Sequence, residues 1–393
     1  MTDTPKIICN NIWKIFGQYP ERTLETMDRS HSRKQIQEET GHVIGVKDMS
    51  FKVQQGETFV VMGLSGSGKS TLVRCLSRLI EPTAGEVIID GEDVIKMNQS
   101  QLTDLRRNKM SMVFQHFGLF PHRRVIDNIA FGLEIRGVAK KERIAKSMEV
   151  LEMVGLHGWD QHFPRELSGG MQQRVGLARA MAVDPEILIF DEPFSALDPL
   201  IRREMQDELL SLQAQLHKTM VFITHDFLEA IKMGDHIAIM KDGETSQIGT
   251  PEEIVAEPAD DYVRDFTEDV PRYKVLSAGK VMRTSSVCVD ENCSVGTARD
   301  ALNSSENQCV FITNSEGVPT LVCHESALNG ADSGATVASI ASPCPEAVSA
   351  GSKLDDLIDS AASHDTPLPV MDEDNNMVGE IDRAIIMRAM STH

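Results

Sequence analysis

An eight-residue segment rich in glycine, residues 63–70, most constrains how this chain can fold. Its sequence GLSGSGKS fits the pattern G-x-x-x-x-G-K-[ST] of a phosphate-binding loop. An apolar run that predicts a strand, residues 58–62, precedes the loop, and a segment that predicts a helix, residues 71–76, follows it. The motif requires this context, because glycines let backbone amides close around phosphate and the helix N-terminus adds a positive dipole. The segment therefore predicts a nucleotide-binding α/β domain.

The loop supplies most of the residues that we predict to bind the nucleotide. Lys69 is expected to reach the β- and γ-phosphates, and the Ser70 hydroxyl is expected to bind Mg²⁺. The predicted nucleotide contacts from this segment are Gly63, Leu64, Ser65, Gly66, Ser67, Gly68, Lys69, Ser70 and Thr71.

Two adjacent carboxylates, Asp191 and Glu192, end a second apolar run that begins at residue 187. Because α/β sheets bind ligands at the carboxyl ends of their strands, both side chains are expected at the nucleotide site. We predict that Asp191 holds Mg²⁺, directly or through water, and that Glu192 polarises the attacking water. Phosphoryl transfer depends on positioning and charge neutralisation, so a carboxylate, a metal ion and a lysine suffice. ATP and Mg²⁺ are the predicted cofactors.

A second segment that could bind an anion opens a predicted helix later in the chain. It comprises Ser168, Gly169, Gly170 and Met171, which would present amides and a hydroxyl at a helix N-terminus. Because the chain already has one phosphate loop, we predict that this segment contacts an ATP bound by another subunit.

Composition excludes several classes of protein. The net charge of −20 argues against a nucleic-acid partner, since the phosphate backbone favours basic surfaces. The seven cysteines include no C-x-x-C pair, which is the usual spacing of metal-binding cysteines. Their number is odd and the sequence starts without a secretory signal, so we expect free thiols in a reducing cytosol. There is no apolar run of about 18 residues that could span a bilayer. A role at a membrane would therefore require a partner.

The hydrophobic pattern predicts an α/β ATPase domain over residues 1–272. Short apolar runs that predict strands alternate with helical segments, which favours a largely parallel sheet covered by helices. The predicted strands lie at residues 6–9, 51–53, 87–89, 111–114, 187–190 and 220–224, and predicted helices lie at 102–109 and 140–154.

A polar insertion, residues 18–43, interrupts this domain between two predicted strands. Its charges of both signs recur at helical spacing, which predicts one or two helices with a solvated face. A partner-docking role is the alternative interpretation.

The chain beyond residue 272 differs in composition. Residues 277–393 contain 6 Lys/Arg and 17 Asp/Glu, a net charge of −11, and five of the seven cysteines. Two apolar runs that lead into acidic turns, 309–317 and 368–376, recur at a spacing near 59, and a predicted helix precedes each. The pattern predicts a duplicated unit, with repeats at about 277–338 and 339–393, that buries its face against its twin.

The order of these motifs resembles that of the ATP-binding-cassette (ABC) ATPases. The segments that carry the resemblance are Gln115, Ser168–Met171, Asp191–Glu192, residues 195–198 (SALD) and His225. The resemblance spans roughly residues 6–250. It implies a P-loop domain with a mostly parallel sheet, an antiparallel part and a helical subdomain, and a head-to-tail homodimer that holds two ATP molecules between its subunits.

The resemblance also implies roles for single residues. Gln115 would bind Mg²⁺ and sense the permease, and His225 would contact the γ-phosphate, so that Glu192, His225 and Gln115 form the catalytic set. Asp198 would tie the two halves together. Phe16 falls where the family stacks an aromatic ring on adenine, with Trp13 the alternative.

A narrower resemblance is to the ATPase subunits of quaternary-amine importers. This resemblance rests on residues 45–48 (GVKD), the extended loop 62–74, residues 128–132 (NIAFG) and residues 195–203 (SALDPLIRR). The insertion and the duplicated tail add to it. The tail, residues 273–393, is similar to a smaller α+β tandem of cystathionine-β-synthase (CBS) regulatory domains. Its second repeat departs from the adenosine-binding pattern. Asp382 replaces a hydroxyl residue and Ile385 replaces the ribose-binding Asp, so we expect no adenine nucleotide there.

This resemblance implies an ATPase subunit that powers import of glycine betaine, proline betaine or choline. The implied partners are a second copy of the chain, integral membrane permease subunits and, indirectly, a periplasmic or lipid-anchored substrate-binding protein, at the cytoplasmic face of the inner membrane. Alternatives are an importer ATPase for another small solute, or a soluble ABC switch without transport. For the tail, a regulatory sensor and a dimerisation or packing element both remain open.

Overall fold

The computed structural model describes residues 4–115, 118–284, 286–305, 307–315 and 317–391. Glu316, in the first predicted acidic turn, and the first three residues lie outside this range. The chain divides into two compact units, one extending to Ile254 and including Pro258–Phe266, the other comprising Val255–Glu257 and everything from Thr267 onwards. The predicted domain boundary after residue 272 lies within the second unit, and the predicted domain division stays a prediction.

The first unit contains two sheets and the helices that flank them. Its strands are β1 Ile7–Phe16, β2 Val43–Val53, β3 Thr58–Met62, β4 Ala84–Ile89, β5 Glu92–Asp93, β6 Met110–Val113, β7 Ile187–Asp191, β8 Thr219–Thr224, β9 His236–Lys241 and β10 Glu244–Gly249. Its helices are α1 Pro20–Thr26, α2 Arg33–Thr40, α3 Lys69–Leu76, α4 Gln99–Asp104, α5 Val125–Ile129, α6 Phe131–Ile135, α7 Lys140–Met153, α8 Gly169–Met181, α9 Pro199–Leu216, α10 Phe227–Met233, α11 Pro251–Ala256 and α12 Asp261–Thr267, and the last residues of α11 and α12 belong to the second unit.

The six-stranded sheet, in the order β10-β9-β3-β8-β7-β6, positions the candidate site. Its strands pair in parallel except for β10, which is antiparallel to β9. All residues of β3, β7 and β8 are buried, as expected for strands covered on both faces. The carboxyl ends of β3, β7 and β8 therefore meet at one edge, where the loops bearing Lys69, Glu192 and His225 begin.

The other sheet of this unit is antiparallel, in the order β2-β1-β4-β5. The strand predicted at residues 87–89 belongs to it, so its inclusion in the largely parallel sheet was wrong. Over Val87–Ile89 the strand alternates between buried and half-buried residues, as an antiparallel strand with one core face does, whereas the central parallel strands β3, β7 and β8 are buried throughout. Polar insertion 18–43 forms α1 and α2, as predicted, between β1 and β2.

The second unit repeats one series of elements. The first series comprises α13 Ala278–Val281, β11 Cys288–Asp290, α14 Val295–Asn303, β12 Cys309–Thr313, β13 Pro319–His324 and α15 Glu325–Gly330, with β14 Ser342–Pro343 added to its sheet. The second comprises a 3₁₀ turn, Val337–Ser339, then β15 Val348–Ser349, α16 Leu354–Ser363, β16 Leu368–Met371, β17 Met377–Ile381 and α17 Arg383–Ser391. The helices α14 and α16, like the strands β12 and β16, begin 59 positions apart, which matches the predicted period.

The two repeats exchange their first segments. Ala278 and Gly279 donate backbone hydrogen bonds to Ser352 and Ala350 of the second repeat, and Arg283 pairs with Glu380 of β17. Conversely, Val337 donates to Cys293 of the first repeat. Each repeat is thus completed by a segment that precedes the other.

Among the described residues, no helix is both long enough and apolar enough to cross a bilayer.

Candidate functional site

The phosphate loop connects β3 to α3, and two of its glycines are required by close backbone contacts. A Cβ atom on Gly63 would lie 2.2 Å from the Met240 carbonyl oxygen, and one on Gly68 would lie 2.2 Å from the Gly45 carbonyl oxygen. Both residues also have positive φ angles, of 148° and 107°. The Gly243 amide donates to the Ser67 carbonyl at 2.9 Å, which ties the loop to the turn after β9. The loop is therefore held rigidly at the start of α3.

Lys69 lies at the centre of the site, with only 4% of its surface exposed. Its ammonium donates to the carbonyl oxygens of Gly63, at 2.7 Å, and Leu64, at 3.1 Å. The Glu192 carboxylate lies 3.8 Å away. Burial lowers the pKa of Lys69, and the nearby carboxylates of Glu192 and Asp191 oppose this shift. The lysine therefore places a desolvated cation against the loop.

Asp191, at the end of β7, joins two residues of α3. It accepts a hydrogen bond from the Ser70 hydroxyl at 2.7 Å, and the Arg74 guanidinium lies 3.3 Å from its other oxygen. Two of the three residues predicted to bind Mg²⁺, Ser70 and Asp191, are therefore adjacent. A hydroxyl, a carboxylate and the amide oxygen of Gln115 are hard oxygen donors of the kind that Mg²⁺ prefers, so these residues fit that ion.

Glu192 has a strained backbone, with a positive φ angle of 47°. Its amide donates to the Ile223 carbonyl of β8 at 3.1 Å, and one carboxylate oxygen lies 3.0 Å from Nδ1 of His225. The neighbouring strands β7 and β8 thus bring both side chains together.

Gln115 is connected to Glu192 through Ser195. Its side-chain amide donates to the Ser195 hydroxyl at 3.2 Å, and that hydroxyl donates to the Glu192 carbonyl at 3.0 Å. Gln115, Ser195 and Glu192 therefore form a connected chain of hydrogen bonds.

These groups surround a cavity of about 610 Å³. Phe16, 41% exposed, lines it, whereas Trp13 is 4% exposed and packs with Ile15 and Ile44. The structure therefore places Phe16, not Trp13, at the site. The lining residues are Phe16, Arg33, Val43, Gly45, Leu64, Ser65, Gly66, Gly68, Lys69, Ser70, Thr71, Gln115, Glu192 and His225.

A second group of predicted residues lies at the N-termini of α8 and α9 and does not line this cavity. Ser168 caps α8, its hydroxyl accepting from the Met171 amide at 3.4 Å, with Gly169 and Gly170 in the first turn. Asp198 caps α9 by accepting from the Ile201 amide at 3.2 Å. Within one chain, the structure thus separates the phosphate loop from the Ser168–Met171 segment.

Sequence reasoning did not assign site roles to Arg33, Arg74 and Ser195. Arg74 and Ser195 flank motifs that were recognised. Their positions in the sequence, close to the loop and to the carboxylates, could therefore have identified them as site residues. Arg33 belongs to the insertion, where its helical charge pattern favoured a solvated face.

The fold and the site together define a P-loop ATPase. The ABC transporter family profile matches residues 46–195. The chain is 45% identical to the glycine betaine/proline betaine transport system ATP-binding protein ProV of Salmonella typhimurium, over 98% of this chain and 97% of ProV. It is 55% identical to the trimethylamine N-oxide transport system ATP-binding protein TmoW of Pelagibacter ubique, over 71% of this chain and 81% of TmoW.

Among solved structures, it is similar to the dimeric post-hydrolysis state of the ATP-binding cassette MJ0796 bound to ADP and Pi. The TM-score is 0.53 and the identity 31%, over 62% of this chain and 98% of that cassette. The chain belongs to the family of ATP-binding subunits of ABC transporters. The predicted ABC ATPase fold and the predicted ATPase activity are confirmed.

Proposed function

We propose that this chain is the ATPase subunit of an importer for a quaternary ammonium solute, namely glycine betaine, proline betaine or choline. The observation that carries the proposal is the meeting of Lys69, Ser70, Asp191, Glu192 and His225 at one edge of the parallel sheet. The solute class follows from a relative that matches almost the whole chain, ProV, whose name specifies glycine betaine and proline betaine transport.

In this proposal, the phosphate loop binds the triphosphate and Phe16 stacks on adenine. Lys69 moves from the loop carbonyls to the β- and γ-phosphates, which offer a stronger, charge-assisted interaction. Ser70, Asp191 and Gln115 would hold Mg²⁺, which neutralises phosphate charge when bound.

Glu192 accepts a hydrogen bond from the attacking water and aligns it with the γ-phosphorus. The water oxygen forms the new bond to the γ-phosphorus and its proton passes to the Glu192 carboxylate, while the bond between the γ-phosphorus and the bridging oxygen breaks, which leaves ADP and inorganic phosphate. His225, 3.0 Å from the Glu192 carboxylate, fixes its orientation and also reaches the γ-phosphate. The strained backbone of Glu192 aims this carboxylate into the cavity rather than along the strand.

A homodimer completes the site. Ser168, Gly169, Gly170 and Met171 lie outside the cavity of their own chain, yet they present a capped helix N-terminus suited to an anion. In a head-to-tail pair, this segment closes over the ATP of the other subunit, and Asp198 joins the two halves. The dimeric state of MJ0796 supports this arrangement.

A permease provides the attachment to the membrane. A groove of about 210 Å³ lies beside the edge strand β6, lined by the apolar side chains of Met112, Phe131 and Ile135 and by three arginines. It is proposed to receive a permease segment, with Gln115 linking it to the site. The subunit would then lie at the cytoplasmic face of the inner membrane, and a substrate-binding protein would deliver the solute.

The tail is proposed to be a CBS-like regulatory pair that senses ionic strength. Its repeated element order supports a CBS-like pair. Asp382 accepts a hydrogen bond from the Ile385 amide at 2.7 Å and lies 3.4 Å from Arg283. These contacts support the expectation that Asp382 does not recognise a nucleotide.

Uptake of radiolabelled solutes in a strain lacking this chain tests the proposal. The strain is complemented with the wild type or Glu192→Gln and supplied with glycine betaine, choline, proline or trimethylamine N-oxide at low and high osmolarity. Betaine or choline uptake restored only by the wild type supports it. Uptake of trimethylamine N-oxide alone would instead assign the solute named for TmoW, and no uptake of any solute would reject this substrate class.

A further inference from the structure

The polar insertion contributes a cation to the nucleotide cavity. Arg33, the first residue of α2, donates from Nη1 to the carbonyl oxygen of Gly66, in the middle of the phosphate loop, at 2.7 Å. Arg33 is half-buried and lines the same cavity as Phe16, Lys69 and His225. Among the described residues that line this cavity, Arg33 and Lys69 are the only arginine and lysine.

Several contacts hold α2 in place. Ser32 and Gln35 form a capping box, in which the Ser32 amide donates to the Gln35 side chain at 2.8 Å. Ile36, fully buried, packs with Trp13 and Ile44. These contacts hold the first turn of α2 over the phosphate loop.

The segments on both sides of α2 are also tied to the site. The His42 ring lies 2.8 Å from the Gln18 carbonyl oxygen, close to Phe16 in the chain. Lys47 donates to the His31 carbonyl at 3.1 Å and forms an ion pair with Glu244. The Lys47 amide also donates to the carbonyl of Gly243, at 2.7 Å, in the turn that holds the loop through Ser67. Lys47 therefore connects the insertion to this turn.

The contacts of Arg33 resemble those of Lys69. Both cations donate to carbonyl oxygens of the phosphate loop, Lys69 to Gly63 and Leu64 and Arg33 to Gly66. A planar guanidinium suits phosphate oxygens, which it can bind through two donors at once. The triphosphate is strongly anionic, so a second cation at the rim of the cavity would favour its binding.

We propose that Arg33 is a nucleotide-binding residue, supplied by the insertion, whose guanidinium pairs with the terminal phosphate groups of ATP. The inference rests on the proposed position of the triphosphate against the loop. It assigns the insertion a part in ATP binding rather than a solvated face alone.

Equilibrium binding of ATP, ADP and AMP to the full chain, measured by calorimetry in EDTA to prevent hydrolysis, tests this assignment. Arg33→Ala and Arg33→Gln should each raise the Kd for ATP about tenfold, equivalent to about 1.4 kcal/mol. Arg33→Lys keeps the charge but loses the planar guanidinium that can bind two oxygens at once, so its Kd for ATP should lie between those of the wild type and Arg33→Ala. The Kd for AMP, which lacks the terminal phosphates, should not change.

Lys34→Ala is the matched control, because Lys34 is the next residue of α2, carries the same charge, is 87% exposed and does not line this cavity. It should bind ATP like the wild type. Lys69→Ala tests the site itself: if it leaves ATP binding unchanged, the proposed position of the triphosphate fails.

If Lys69→Ala weakens binding but Arg33→Ala does not, only the role of Arg33 is overturned. An equal loss for AMP and ATP would also overturn it, because it would show that Arg33 acts by shaping the loop. Wild-type ATP affinity in Arg33→Gln would also overturn the proposal, because it would show that the charge of Arg33 does not interact with the phosphates. Equal thermal unfolding temperatures of the variants and the wild type exclude a folding defect as the cause of weaker binding.

Discussion

Both units of this chain place a carboxylate next to a cation, but they do so in opposite surroundings. In the first unit, Glu192 and Lys69 line a cavity of about 610 Å³ at the ends of parallel strands. In the tail, Glu380 of β17 is completely buried and pairs with Arg283, with 2.6 Å between Nη1 and Oε1. Among the residues that the structure describes, none forms a hydrogen bond with the other oxygen of Glu380.

The difference shows that access of a substrate to an ion pair decides whether the pair can take part in a reaction or only stabilises the fold. A charged group can act on a substrate only where the substrate reaches it, and the loop around Lys69 allows this. Burial raises the pKa of Glu380, while its hydrogen bond and charge interaction with Arg283 lower it. The tail pair therefore joins two segments of the fold, and its energetic effect falls on stability.

The largest expected effect comes from Glu192→Gln. The change removes the proton acceptor but keeps the size of the side chain, so ATP hydrolysis should fall by about 10²- to 10⁴-fold. ATP should still bind and hold the subunits together as a dimer. Phosphate release and size-exclusion chromatography with ATP measure the two properties.

Glu186→Gln serves as its control, since Glu186 immediately precedes the same strand, at the opposite end, and pairs with Lys6. Near-normal hydrolysis by Glu192→Gln would remove this residue from the catalytic set and erase the contrast between the two carboxylates.

Arg283→Ala tests the buried pair of the tail. The substitution leaves Glu380 without its cation, so we expect the local free energy of unfolding to fall by about 3 kcal/mol. This value is at the low end for breaking a buried ion pair because Arg283 is about one-third exposed. Hydrogen exchange of the β17 amides in the full chain measures it. The more exposed Arg383, 3.7 Å from Asp365, offers a comparison, and Arg383→Ala should cost less than about 1 kcal/mol. Equal losses would show that burial of the pair is irrelevant.

Glu380→Gln should alter how tail stability depends on pH. Because its pKa is raised in the folded state, protonated Glu380 contributes stability at acid pH that is lost as pH rises through this raised value. Across the pH range above the ordinary pKa of a glutamate, the wild-type tail should therefore lose stability relative to Glu380→Gln. The unfolding temperature of the tail, followed by calorimetry across this range, reports the difference. A constant difference at every pH would mean that Glu380 does not titrate there.

The smallest expected effect on catalysis comes from removing the tail. Truncation before Ser277 should leave ATP hydrolysis unchanged, since the groups around the cavity all belong to the first unit. It should flatten the dependence of transport on salt, because the acidic tail is the proposed sensor and salt screens its charges over about 8 Å at physiological ionic strength. An unchanged salt response would assign the tail to packing or dimerisation.

Much of the nucleotide site was predictable because its residues lie in short, contiguous motifs. The strand–loop–helix around Lys69 and the strand ending at Asp191 each have a local sequence signature. The rule that parallel strands place their carboxyl ends at one edge then brings them together. The choice between Phe16 and Trp13 needed the fold, since only burial separates two aromatic residues on the same strand.

Other contacts had no local signature. The charges of the insertion fit a solvated helix equally well, and only the burial of Ile36 and the capping of α2 direct Arg33 to the loop. Likewise, the three-residue pattern at the end of β4 did not identify its antiparallel partner. In the tail, the period of 59 predicted the repeats but not the exchange of their first segments, which joins residues nearly a hundred positions apart.

That exchange has a consequence for the order in which a ribosome can complete the tail. Arg283 leaves the ribosome 97 residues before Glu380, its partner. Cys293, in the first repeat, accepts a hydrogen bond from the Val337 amide, and Val337 is synthesised only after most of the first repeat has left the ribosome. The second repeat must therefore be synthesised through β17 before the segment at Ala278–Arg283 can dock. The nascent tail is expected to need chaperone protection longer than two independent repeats of the same length would.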